Sequence, residues 1–155
     1  MLADIRKFSL DNWINELVDA SKIKKNWFGK VTDNYWEYLG KVTTEIKTDF
    51  NAHILSDLLT FVIDELKFKE VLGEYSDKLT QNRNSAVFIF ILDDKEKLLN
   101  EFRKSSFKLR FETFCKELND NFYSYTVEEL NETIRNFEMA LTEIDENHSI
   151  IINIG

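Results

Sequence analysis

Two carboxylates, Asp93 and Asp94, follow directly on AVFIFIL (residues 86–92), the most apolar run in this 155-residue chain. At the carboxyl end of a buried strand, such a pair is placed to hold a divalent metal or to accept a proton. A plainer chemistry fits the same residues. Asp93 with Glu96 three positions on spells a capping box, and Asp94 falls near the positive end of the helix dipole. The cap accounts for all three acids, so the run is expected to be a core strand followed by a helix start, with no catalytic residue.

The remaining reactive side chains are few. His53 lies between Asp49 and Asp57 at spacings of four, but one helical stripe is a poor match to a tetrahedral metal shell. That trio reads as the polar border of an amphipathic helix. His148 sits in DENHS and reads as a turn residue. Cys115 shares a helical face with Phe111, Phe114 and Leu118, which points to burial as a small apolar group. Neither histidine is placed by the sequence to activate it. The four glycines are isolated, so there is no phosphate loop, and G-x-S-x-G, H-E-x-x-H and C-x-x-C are absent. The chain is therefore expected to be no enzyme and to need no cofactor or metal.

The elements that would position these groups can be read from periodicity. SLDNWINELVDASK places Leu10, Trp13, Ile14, Leu17 and Val18 on one helical face, with Ser9 as cap. KIKKNWFGK is basic with aromatics between, and Gly29 ends it. TDNYWEYLG reads as a short helix with Thr32 as cap and Gly40 beyond its end. Residues 42–48 alternate as an edge strand would, although Val42, Ile46 and Phe50 are also spaced for a helix. A long helix is expected over 52–72, stopped by Gly73, and EYSDKLTQNRNS reads as loop.

Residues 86–92 and 149–154 are apolar on both faces, as strands buried between two layers are. Between them, the apolar set after Ser105 is turned about half a turn from the preceding face at roughly 100° per residue, which predicts a helix break there. YTVEELNETIRNFEMALTEI has a Thr126–Glu129 capping box, a staple from Tyr125 to Leu130, and apolar residues from Val127 to Ile144 spaced by three and four. These elements predict one α+β domain, mainly helical. Its small sheet would hold 86–92 and 149–154 as neighbours, with 42–48 as the candidate third strand; a parallel centre fits this order.

Composition bounds the rest. With 43% apolar and 14% aromatic residues the chain has ample material for a core, and without proline its helices are free to run. One cysteine forms no internal disulfide, no export leader is evident, and no run approaches the ~18 apolar residues of a membrane span. A cytoplasmic protein with no membrane contact is expected. Lys outnumbers Arg fifteen to five, a bias of A/T-rich coding sequences such as those of some bacteria and phages.

The distribution of charge is the most informative feature. Residues 112–147 hold ten acids against Lys116 and Arg135, which equals the whole net charge of −8; elsewhere 18 acids meet 18 bases. Such a face repels phosphates, so direct nucleic-acid binding is not expected, and it steers a basic protein. Glu128, Glu129, Glu132 and Glu138 are the candidate contacts, with Tyr123 and Tyr125 as anchors. In size, acidity and lack of motifs the chain resembles, in general character, immunity and inhibitor proteins that mask a basic nuclease-type toxin. A phage-type anti-defence protein mimicking DNA charge is one alternative. A small enzyme or ligand binder using the aromatic segment from Trp27 to Leu39 is another.

Overall fold

Ile150, Ile152 and Ile154 leave one face of strand His148–Ile154, while Ser149, Ile151 and Asn153 leave the other, and all six are buried. This alternation requires a helical layer on each side of the sheet. The computed structural model describes residues 1–9, 13–46, 51–118 and 125–155. Among them the order is β1 (Ala3–Ser9), α1 (Trp13–Ala20), β2 (Lys24–Lys25), β3 (Val31–Thr32), α2 (Tyr35–Val42), β4 (Thr43–Glu45) and α3 (Ala52–Thr60). A π-helical turn (Phe61–Glu65) follows, then α4 (Gly73–Arg83), β5 (Ala86–Phe90), α5 (Leu92–Phe102), α6 (Phe107–Leu118), α7 (Val127–Thr142) and β6 (His148–Ile154).

The architecture is α+β, with a four-stranded sheet ordered β4-β1-β6-β5 and a separate β2–β3 hairpin. β5 and β6 are neighbours, as their shared apolar character predicts, but every pairing is antiparallel and the parallel centre is overturned. Ala3–Ser9, which the sequence reading passes over, pairs with β6 along its full length and forms the second central strand. On one side of the sheet lie α3, α5, α6 and α7, with Phe61, Phe90, Phe111 and Phe137 in the core. On the other, Leu17, Tyr35, Leu39 and Leu79 of α1, α2 and α4 pack on Phe8, Val87, Ile89 and Ile151. Phe90 and Phe137 meet edge-on at 5.8 Å, an arrangement worth about 0.5–1.5 kcal/mol beyond its area.

Several boundaries differ from the sequence reading. The helix expected over 52–72 ends early, through the π turn, at Leu66, and Lys67 turns left-handed at φ 54°. Gly73 opens α4, and the stretch read as loop is that helix, closed by left-handed Asn84. α4 buries only Ser76 and Leu79, too narrow a stripe to announce itself. Ser9 ends β1, Thr32 ends β3, Asp33 accepts the first N–H of α2 from Tyr35, and Gly40 lies inside α2. β4 is an edge strand but spans only Thr43–Glu45, and residues 47–50 lie outside the described residues.

The helix break after residue 102 and the Thr126–Glu129 capping box are both present. At the opening run, the strand stops at Phe90 and Ile91 is already the helix cap. Asp94, three positions after Ile91, therefore accepts the N–H of the cap residue, the one half of a box that an Ile cap allows, and the cap assigned to Asp93 with Glu96 is corrected.

Candidate functional site

The acid pair after β5 resolves into one structural and one exposed carboxylate. Asp94 is fully buried; Oδ2 accepts the Ile91 N–H at 3.0 Å and Oδ1 the Val71 N–H at 2.9 Å. Burial raises its pKa against those two bonds. Asp93 is exposed in the first turn of α5. Asp94 belongs to a wider arrangement along the outer edge of β5. The Thr80 hydroxyl accepts the Val87 N–H at 3.0 Å, and Glu70 and Ser76 both accept that of Ile89. N–H groups that face away from β6 at alternate residues are thus closed by side chains, and the edge offers no ladder to another strand. Glu70, half-buried and near Asp94, is pushed up to about 8 by the desolvation of its carboxyl. Neither sequence motif nor periodicity singles out Glu70; its partner is 19 residues away.

The other candidates for chemistry disperse. Cys115 is buried, and burial together with the Asp57 charge pushes its thiol up to about 12, where no thiolate forms at neutral pH. His53 is exposed on α3, whose start is capped by Asn51, and Asp49 lies outside the described residues. His148 is the first residue of β6 rather than part of the turn; its Nδ1 lies 2.9 Å from Asp145. The N–H of Asn147, with His148, holds the Asp145 carboxyl below its usual range. Among the described residues, no group of three or more His, Cys, Asp or Glu side chains is placed to hold a metal. The aromatic segment from Trp27 to Leu39 is divided, since Trp27 and Phe28 face solvent while Tyr35 and Leu39 enter the core.

Charge on α7 is organised more sharply. Its apolar stripe, Leu130, Ile134, Phe137 and Leu141, is buried, which turns the glutamates outward. Glu128, Glu132 and Glu138 line one open groove of about 720 Å³ together with Asn131, Arg135, Phe102, Ile134 and Lys108. Phe102 and Ile134 are buried members of the core that reach the groove floor with only a small part of their surface. Arg135 stands 3.7 Å from Glu132, a loose exposed pair. The groove opens where the α5–α6 break turns the chain beside α7, so α6 contributes Lys108 and α5 its last residue.

Glu129 behaves differently from the other three. Its Oε2 accepts the Thr126 N–H at 2.8 Å and the Thr126 hydroxyl at 3.0 Å, so it serves the helix start. Tyr125 is half-buried against the main core, and Tyr123 lies outside the described residues. Of the six residues singled out by charge and aromaticity, the fold brings three together around one concavity.

A second polar assembly, unforeseen in the sequence, crosses the opposite layer. The Tyr35 hydroxyl donates to Asn153 Oδ1, and the Arg83 guanidinium lies 4.7 Å from the Tyr35 ring centre. Arg83 is clamped by Asp33 at 2.7 and 2.8 Å, which lowers that carboxyl's pKa. The assembly runs from the buried Tyr35–Asn153 bond out to the exposed Asp33 and reads as a structural polar link between core and surface. Comparison with protein-family models, with curated proteins and with solved structures returns no match to this chain.

Proposed function

We propose that this chain is a non-enzymatic binding protein whose α7 groove receives a basic protein, acting as an inhibitor of the immunity type that masks a nuclease-like toxin. The observation that carries the reading is the grouping of Glu128, Glu132 and Glu138 around an open groove with Phe102 and Ile134 at its floor. A phosphate-binding surface is rich in Lys and Arg, so a partner that handles nucleic acid presents the complementary charge. The glutamates steer its approach, and an apolar partner side chain seated on Phe102 and Ile134 would anchor it.

The test is capture of partners from the native host with the wild-type chain and with Glu128→Lys/Glu132→Lys. Glu129 is left in place because it closes the capping box. A basic partner retained by wild type and lost by the folded double variant supports the reading. An acidic partner, or equal capture by both, overturns it.

A further inference from the structure

Trp27 and Phe28 stand at the tip of the β2–β3 hairpin with 96% and 91% of their surfaces exposed, and Ile23 and Val31 expose 55% and 57% on its arms. The tip is held in shape. Asn26 Oδ1 accepts the N–H groups of Phe28 at 3.0 Å and Lys30 at 2.8 Å, and Asn26 N donates to the Lys30 carbonyl at 3.0 Å. Gly29 adopts φ +77°, which side-chain-bearing residues rarely accept. The apolar side chains are therefore displayed on a fixed turn, which lowers the ordering cost of engaging a surface.

Between residues 22 and 32 there are four lysines and no acid. The nearest flanking carboxylates are engaged, Asp19 by Lys22 at 2.6 Å and Asp33 by Arg83. We propose that this hairpin is a docking tip for an anionic lipid bilayer. Trp27 and Phe28 enter the interfacial zone, and Lys24, Lys25 and Lys30 meet the headgroups. Charge complementarity selects an anionic surface. Stacking on single-stranded nucleic acid would use the two rings but give Ile23 and Val31 nothing to contact, whereas hydrocarbon accepts all four.

The fold also suits this orientation. The hairpin joins α1 to α2 on one side of the sheet, and the acidic α7 lies on the other. Docking by the tip keeps the glutamates away from the anionic headgroups and leaves the α7 groove open. The contact is peripheral: among the described residues no helix is long and apolar enough to cross a membrane. It is also independent of the function proposed for the groove.

The test is cosedimentation of the full chain with phosphatidylcholine vesicles, with and without phosphatidylglycerol, across a salt series. Binding should require phosphatidylglycerol and fade with salt. Each lysine among 24, 25 and 30 changed to alanine should weaken partitioning about fivefold. Trp27→Ala/Phe28→Ala should weaken it about tenfold or more while the unfolding curve stays unchanged, since both side chains are exposed. Quenching by brominated lipids should fall sharply in Trp27→Phe. No binding to phosphatidylglycerol vesicles, or equal binding by the Trp27→Ala/Phe28→Ala variant, overturns the proposal. So does aromatic-dependent binding of an oligothymidylate in place of vesicles.

Discussion

The Glu70 carboxylate accepts the N–H of Ile89 on the outer edge of β5, and Ser76 donates to that carboxylate at 3.1 Å while accepting the same N–H. Burial outweighs these bonds and lifts the Glu70 pKa from 4.5 to about 8. A carboxyl raised in the fold binds its proton more tightly there than in the unfolded chain. Its contribution is therefore full below the unfolded pKa and is lost as pH rises through the folded one. Urea unfolding across the window from 4.5 to about 8 should show stability falling with pH. Glu70→Gln, which keeps an acceptor but cannot ionise, should flatten that slope. An unchanged slope would remove Glu70 as its source.

Asp94 should matter far more than its neighbour. Asp94→Ala leaves the N–H groups of Ile91 and Val71 without their buried carboxylate acceptor, a loss of about 2–4 kcal/mol. Asp93→Ala, at an exposed position, should cost no more than about 0.5 kcal/mol. Paired denaturation curves decide this, and equal costs would contradict the capping geometry.

Tyr35→Phe should cost about 1–2 kcal/mol because Asn153 Oδ1 loses its buried donor. Asn153→Ala should then cost less in the Tyr35→Phe background than in wild type, the mark of a shared bond. A double-mutant cycle measured by thermal unfolding reads this directly. Strict additivity would mean that the two side chains do not support each other.

For the α7 groove, the expected signature is kinetic. Once a partner is in hand, Glu128→Lys/Glu132→Lys should slow association steeply at low ionic strength, and the difference should shrink as salt is raised past the ~10 Å screening length of 0.1 M. Phe102→Ala, at the groove floor, should instead speed dissociation. It also opens the core, so its folding is checked first by circular dichroism. If neither variant changes binding, the groove is not the contact.

What the sequence determined by itself was local in origin. The Thr126–Glu129 box and the three-and-four spacing of Leu130, Ile134, Phe137 and Leu141 act within one helix, and α7 forms as they dictate. Likewise the runs at 86–92 and 149–154 carry apolar residues on both faces, enough to place strands there between two layers, although the first strand ends at Phe90. The concentration of acids in residues 112–147 was equally legible, and the four on α7 face outward because its apolar stripe is committed to the core.

Tertiary structure decided what depends on partners distant in the chain. β1 reads as polar, yet Asp4 pairs with Arg6 and Lys7 with Glu143, which lets a charged strand lie beside β6. With helices covering both faces, antiparallel strands are as apolar as parallel ones, so composition could not set direction. The β5–β6 register ends at Phe90, and that endpoint makes Ile91 the cap and Asp94, rather than Asp93, its partner. Glu70 and the groove beside α7 follow the same logic. Each is assembled from segments that only packing brings together, and neither burial nor a concave surface is written in local spacing.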